Sequence, residues 1–204
     1  MNKARVESFS DGVFAFAITL LVLGVQVPNI KSGSDSELRT ALIHSVSQLL
    51  PYITSFATIG IIWLNHHSMF HSVQRVEHAT LTLNLLLLLV VAFIPYPTAV
   101  LSRYGALPSS AFLYGCVLSL LGITYSLLWL HIMRRRLSTL SVDVDEIRRK
   151  SWRNLAGLLL YPSATVLSLR YPRVGVAIYF ILAAYYFIPT GRQESNQEQS
   201  HVAD

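Results

Sequence analysis

Long runs of apolar residues, separated by short polar segments, dominate the chain. Six such runs can be drawn, near 9–28, 39–64, 79–101, 110–133, 152–169 and 174–190. Most reach the roughly 20 residues that an α-helix needs to cross a hydrocarbon core of about 30 Å, while the last two lie near the lower limit of about 17. The runs are continuous and leucine-rich, which favours a helical bundle over a β-barrel. The pattern predicts an all-α integral membrane protein with six spanning helices in one domain, residues 1–190.

Composition and charge agree with this interpretation and add an orientation. The 204 residues are 52% hydrophobic and only 13% charged, whereas soluble domains carry about 25% charged residues. If the N-terminus is inside, 11 of the 16 lysines and arginines fall in inner segments and 5 in outer ones, which predicts that both termini are cytoplasmic. The net charge of +5 is concentrated in the loop between the fourth and fifth runs. It therefore predicts contact with lipid headgroups and does not point to nucleic acid. The polar tail 191–204 is predicted to be disordered.

Proline positions predict where two of the helices deviate from straight geometry. Pro51 lies within the second run, and Pro95 and Pro97 lie within the third. Because proline lacks a backbone N–H and its ring clashes with the preceding turn, each helix should kink or end near these residues.

The first run begins with polar residues that are unusual for a membrane helix. The segment Arg5-Val-Glu-Ser-Phe9-Ser10-Asp11 places an arginine and an aspartate at its mouth. A carboxylate at the bilayer centre costs roughly 2.5–3.5 kcal/mol, so Asp11 should lie near the interface or meet a partner inside the bundle. Arg5 and Asp11 are six positions apart and hence on different helical faces, so they should not pair with each other.

The pattern Arg-x-x-x-Phe-Ser-Asp leading into a first membrane helix resembles the signature of the transmembrane protein 175 family. The stretch from Asn84 to Pro97 resembles the third helix of the same family. This resemblance rests on the first three spans. It implies a homotetramer with a central pore lined by the first helix of each chain, and K⁺ as the permeant ion.

Two stripes run along the first helix if its residues are spaced at 100°. The bulky apolar stripe consists of Phe16, Leu20, Leu23 and Val27. The narrower and more polar stripe consists of Gly12, Thr19 and Gln26. The pattern alone leaves open which stripe faces a pore. The resemblance implies that Phe16, Leu20 and Leu23 form the constriction and that Thr19 contributes to cation selectivity. Relatives usually carry isoleucine where Phe16 stands, so this ring should be narrower here.

The ion path implied by the resemblance differs from a carbonyl filter. The chain contains no Thr-Val-Gly-Tyr-Gly segment, so rings of backbone carbonyls should not replace the hydration water of the ion. A ring of apolar side chains would act by size and dewetting instead.

The resemblance also implies that Arg5, Phe9, Ser10 and Asp11 belong to a structural polar network. This network would tie the first helix to its neighbours by hydrogen bonds. The candidate partners are Asn65, His66 and His67 at the end of the second span and Asn84 in the third. Which residue pairs with which stays open at this stage.

A cluster of histidines suggests a rival function. His66, His67, His71 and His78 lie close together in sequence, and His67 and His71 have a helical spacing that can bind a metal. Membrane oxidoreductases with histidine boxes need several such motifs, and this chain adds only the isolated His44 and His131. We therefore assign no metal, no cofactor and no enzymatic activity. A proton-coupled carrier is a third alternative, weakened because His44 is the only ionisable residue near the middle of the first three spans.

Overall fold

A computed structural model describes residues 2–31, 33–105, 107–135, 137 and 157–187. These residues form seven α-helices and one 3₁₀ turn. The helices are α1 (Lys3–Leu20), α2 (Asp35–Ser72), α3 (His78–Phe93), α4 (Pro95–Tyr104), α5 (Pro108–Arg134), α6 (Gly157–Ser168) and α7 (Pro172–Phe187), and the turn is Leu21–Gly24. The predicted tail 191–204 and most of the basic loop before α6 lie outside the described residues.

The described part of the chain contains three segments that are long and apolar enough to cross a membrane. They are Lys3–Gly24, His78–Tyr104 and Pro108–Arg134. A fourth is α2, if its two arms are counted as one span. The shorter α6 and α7 are apolar and coincide with the last two predicted runs, whose ends at 152–156 and 188–190 fall outside the described residues. The all-α class is confirmed, whereas six spans stay a prediction.

Both proline predictions are confirmed. The two arms of α2, Asp35–Val46 and Gln48–Ser72, meet at an angle of 45°. The break at residue 47 lies four residues before Pro51, which is where a helical proline leaves a carbonyl without its N–H partner. In the third span, α3 ends at Phe93 and α4 begins at Pro95. The intervening Ile94 keeps helical dihedrals, with φ −53° and ψ −38°, so the chain continues as one span, His78–Tyr104, across this break.

The first span changes geometry before its predicted end at residue 28. Its α-helix stops at Leu20, and the 3₁₀ turn continues to Gly24, after which Val25 is extended with φ −79° and ψ 115°. A Cβ on Gly24 would lie 2.9 Å from the Cβ of Ala99 in α4, so only glycine allows this approach. The 100° spacing therefore holds only as far as Leu20. Gln26 and Val27 lie beyond both helical segments.

A hydroxyl cluster in the core joins α2, α4 and α5. The Oγ of Ser55 is hydrogen-bonded to the Oγ1 of Thr98 at 2.7 Å and to the Oη of Tyr114 at 2.8 Å. All three side chains are buried. Polar groups surrounded by apolar side chains are stabilised when they bond to one another across helices, so this cluster fixes how the three helices pack.

Candidate functional site

The helix α1 has two distinct faces. Its buried face packs against α2 and α3 and consists of Val6, Ser10, Phe14 and Ala17, followed by Leu21 in the 3₁₀ turn. Its exposed face repeats at intervals of three and four residues and includes Arg5, Phe9, Gly12, Phe16, Thr19 and Leu23. The motif residues are therefore divided between the two faces, with Ser10 inside and Arg5 and Phe9 outside.

A buried polar network connects α1, α2 and α3 through Ser10, His66 and Asn84. The Oγ of Ser10 donates to the carbonyl of Val6 at 2.8 Å and accepts a hydrogen bond from the Nδ2 of Asn84 at 3.0 Å. The Oδ1 of Asn84 lies 2.8 Å from the Nε2 of His66. Because a carbonyl oxygen only accepts, Nε2 carries the hydrogen. Each of the three side chains is at most 2% exposed.

Two aromatic rings hold the imidazole of His66 in this network. The ring of Phe70 stacks on it with centroids 4.4 Å apart, and the ring of Phe14 lies tilted at 5.4 Å. Phe14 belongs to α1 and Phe70 is one turn further along α2. The imidazole therefore has few alternative orientations, which keeps its Nε2 directed at Asn84.

A second connection between α1 and α2 uses Asp11. Its Oδ1 accepts a hydrogen bond of 2.8 Å from the indole Nε1 of Trp63. Trp63 was not among the predicted partners, although an indole N–H near a membrane interface usually finds an acceptor. Close by, the Nζ of Lys3 donates to the carbonyl of His71 at 2.8 Å and lies 3.7 Å from a carboxylate oxygen of Glu7. The cation thus meets the carbonyl end of α2, where a positive charge is favourable.

The remaining network candidates lie apart from this site. Arg5 is exposed, and its guanidinium makes no hydrogen bond or ion pair with a described residue. Phe9 is 56% exposed. His67 is exposed and packs against the ring of Trp63 at 6.0 Å. Asn65 is also exposed and lines a separate cavity. The structure therefore brings together Ser10, His66 and Asn84, and separately joins Asp11 to Trp63.

The proposed pore residues occupy the exposed face of the first span. Phe16 is 64% exposed and Leu23 is 77% exposed, while Leu20 is half-buried at the edge. Thr19 is exposed, and its hydroxyl donates to the carbonyl of Phe16 at 2.8 Å. Val27 and Gln26 are exposed beyond the turn. The two predicted stripes are thus neighbouring parts of one uncovered surface.

This first span is also the least covered of the three long ones. Only 28% of its most apolar 18-residue stretch is buried, whereas 50% of the corresponding stretch is buried in each of the spans His78–Tyr104 and Pro108–Arg134.

The histidines form no metal-binding constellation within the described ranges. No group of three or more His, Cys, Asp or Glu side chains there could hold a metal ion. His66 uses its Nε2 for Asn84 and is enclosed by aromatic rings. His67 and His71 are exposed on the surface of α2.

Comparisons with known proteins identify relatives of the chain. A family model described as endosomal/lysosomal potassium channel TMEM175 matches residues 5–95, a range that includes most of α1 and all of α2 and α3. A protein of Streptomyces collinus, named as a potassium channel, is 40% identical over 192 residues, covering 91% of this chain and 92% of the relative. A similarly named protein of Chamaesiphon minutus is 38% identical over 189 residues, covering 91% and 93%.

The fold is similar to that of a solved structure. The crystal structure of a lysosomal potassium-selective channel TMEM175 homolog from Chamaesiphon minutus matches with a TM-score of 0.80 and 36% identity, covering 90% of this chain and 95% of that chain. Since the similarity extends over nearly the full length of both proteins, in sequence as in fold, this chain belongs to the TMEM175 family.

Proposed function

We propose that the chain is a subunit of a potassium-permeable channel in the cell membrane. It assembles as a homotetramer of six-helix chains, with α1 of each chain around a central pore and both termini in the cytoplasm. Membership of the TMEM175 family supports this function, because the relatives from Streptomyces collinus and Chamaesiphon minutus are named potassium channels.

The uncovered face of α1 is the observation that carries the proposal. The rest of the chain packs on one side of this helix and leaves Phe16, Thr19 and Leu23 exposed. A single chain cannot enclose a path with one helix. A closed ring of identical subunits places the same face of each α1 around a common axis, and such closed symmetry is the usual solution for soluble and membrane oligomers alike.

The ion path is controlled by apolar rings instead of backbone carbonyls. Phe16, Leu20 and Leu23 form the constriction, which opens when these rings move apart enough for water to enter. Thr19 lies among them and supplies a polar oxygen, because its hydroxyl hydrogen is used by the carbonyl of Phe16 and its lone pairs stay available. Val27 and Gln26 extend the path beyond the 3₁₀ turn.

The buried network gives the pore helix a fixed support. Ser10 and Asp11 are consecutive residues, yet one bonds to Asn84 in α3 and the other to Trp63 in α2. Two neighbouring helices thus hold α1 from two directions at the same level. Rotation of α1, which would carry Phe16 and Thr19 away from the axis, would break both bonds.

The two alternative functions are not favoured. A histidine-box oxidoreductase would require its histidines as ligands, but His66 serves the helix network and the other members of the cluster are dispersed. A proton-coupled carrier would require a titratable group inside the bundle that exchanges protons, but the buried His66 is bonded to Asn84 and enclosed by two aromatic rings. The relatives that cover most of this chain are named channels.

Cation flux through the purified protein in liposomes tests the proposal. Vesicles loaded with K⁺, Na⁺ or N-methyl-D-glucamine are compared under equal gradients. We expect a K⁺ flux that exceeds the Na⁺ flux and no passage of the large cation. Protein-containing vesicles with the same K⁺ leak as empty vesicles would rule out the channel function, and equal passage of all three cations would rule out a narrow constriction.

A further inference from the structure

A cavity on a second face of α2, beside the one that carries His66, is used by none of the proposed channel functions. It is enclosed by α2, α5, α6 and α7 and comprises about 610 Å³ of empty space, its open mouth included. The residues of α2 that line it are Thr58, Ile61, Ile62 and Asn65, which follow the helical spacing of three and four. The walls are therefore the regular faces of neighbouring helices.

The walls are mainly apolar, but six of the lining residues carry hydrogen-bonding side chains. Thr58 donates to the carbonyl of Thr54, and Tyr186 also has an interaction within the chain. The other four are Asn65 from α2, Tyr125 and Ser126 from α5, and Tyr161 from α6. None of them has a hydrogen-bond partner among the residues that the structure describes. Tyr125 is only 8% exposed. A hydroxyl that a ligand covers without bonding to it loses its hydrogen bonds to water, so a ligand that supplies a partner for Tyr125 is favoured.

The charge of the cavity restricts the class of ligand. Among the residues that the structure describes, no Asp, Glu, Lys, Arg or His belongs to the lining. An ionic head group would lose its hydration here without gaining a counter-ion, which is unfavourable. A plain hydrocarbon would leave the polar side chains unpaired. The lining therefore suits a molecule with an apolar tail and an uncharged head that carries hydroxyl or ester groups.

We propose that this cavity binds a single-chain neutral glycerolipid, such as a monoacylglycerol. The acyl chain lies against Ile61, Leu118 and Leu121, and the glycerol hydroxyls bond to Asn65 and Tyr125. Since the walls are membrane-spanning helices, the lipid enters from the bilayer. A lipid that binds the folded chain and not the unfolded one also stabilises the fold.

A photoactivatable monoacylglycerol, with a diazirine near the end of its tail, tests the proposal on the full-length purified protein. We expect labelling of peptides from α2 and α5, competed by monoolein and not by oleate or hexadecane. Tyr125→Phe and Asn65→Leu preserve volume and remove a polar group. Each should raise the monoolein concentration needed for half-maximal competition about three- to tenfold, as the loss of one hydrogen bond predicts.

Gly122 allows the cavity to be filled without a clash. It lines the cavity, and a Cβ added there meets nothing within 4 Å. Gly122→Leu should abolish the labelling. Gly60→Leu is the matched control, because Gly60 in α2 also has open space around its added Cβ but is not part of the lining. This control should label like the wild type, and the melting temperatures of both variants establish that they are folded.

Three results would overturn the inference. Labelling that survives Gly122→Leu in a folded protein places the lipid elsewhere. Competition by oleate as strong as by monoolein shows that an uncharged head is not required. Cross-links from residues 138–156 of the same chain, or from a second chain, into α5 of the unliganded protein show that protein and not lipid fills the cavity.

Discussion

Few side chains other than that of Asn84 could form both hydrogen bonds at this position. It donates to Ser10 on α1 and accepts from His66 on α2 with the two ends of one amide. An apolar residue of the same size offers neither bond, and a carboxylate would add a buried charge. The packing of three helices at this level therefore depends on one bifunctional side chain.

Substitution of Asn84 by leucine tests this dependence. Asn84→Leu leaves the Nε2–H of His66 buried without an acceptor, which costs roughly 1–3 kcal/mol. We expect a clearly lower melting temperature in detergent. The double variant Asn84→Leu/His66→Phe removes both partners and places a third phenyl ring beside Phe14 and Phe70. Its loss of stability should be smaller than the sum of the two single losses, and strict additivity would argue against a direct hydrogen bond.

Phe16 is the residue whose size should set the resting conductance. In the proposed tetramer, four phenyl rings near the axis would exclude more water than smaller side chains do, so Phe16→Ala should widen and wet the constriction. We expect a several-fold higher K⁺ flux and weaker discrimination against Na⁺. Leu20→Ala and Leu23→Ala should act in the same direction.

The matched control for Phe16 is Phe180→Ala in α7, where the phenyl ring is also exposed, by 42%. This variant should leave the flux unchanged. If Thr19 or Gln26 substitutions alter the flux while none of the three apolar ones does, the polar stripe lines the path and the assigned constriction is wrong.

At the scale of helices, apolar run length and proline positions predicted most of what is observed. Hydrophobic runs predict helices because the bilayer leaves backbone groups no partners except within the helix. Pro51 likewise predicts the bend in α2, and Pro95 predicts the break between α3 and α4. The helix contacts could not be predicted in the same way. Of the candidates for the polar network, Ser10, His66 and Asn84 are bonded to one another, whereas Asn65 and His67 are exposed. Trp63, which bonds to Asp11, was not among the candidates. Sequence spacing does not fix how α2 is rotated relative to α1, so these contacts could not be predicted.

The 3₁₀ turn after α1 is a second feature that the sequence did not predict. It depends on the approach of Gly24 to Ala99, residues 75 positions apart, at a distance that no local pattern encodes. The backbone at this turn needs no positive φ, since Gly33 is the only glycine in the described ranges with one. Gly24 is therefore required because it has no side chain, and not because of its backbone conformation.

Gly24→Ala should consequently destabilise the protein, although alanine is the better helix former. The added methyl would lie 2.9 Å from the Cβ of Ala99, and overpacking of this kind costs about 1–3 kcal/mol. We expect a lower melting temperature, recovered in part by Ala99→Gly in the same chain. Gly60→Ala serves as the comparison, because open space surrounds its added Cβ and the change should be neutral or stabilising by up to about 1 kcal/mol. Equal effects of both substitutions would contradict the packing argument.

At the scale of the whole molecule, one side of α1 is packed against other helices and the other side is exposed. One side is fixed by the Ser10–Asn84–His66 network, the Asp11–Trp63 bond and the contact of Lys3 with the end of α2. Behind it, the hydroxyl cluster of Ser55 holds α2, α4 and α5 together. The other side carries Phe16, Thr19 and Leu23 without cover. A rigid support behind an uncovered helix is what a pore shared among subunits requires.

Native mass spectrometry in mild detergent should accordingly give the mass of four chains. The position of α1 within this assembly can be tested by cysteine cross-linking, because Cys116 is the only native cysteine and Cys116→Ser provides a clean background. Thr19→Cys on the exposed face of α1 should form inter-chain disulfides on mild oxidation, since the four copies converge on the axis. Leu89→Cys is equally accessible on α3, where leucine is 67% exposed, and should remain monomeric on denaturing gels. A monomer that carries K⁺ flux, or cross-linking at position 89 and not at 19, would mean that α1 does not line a shared pore.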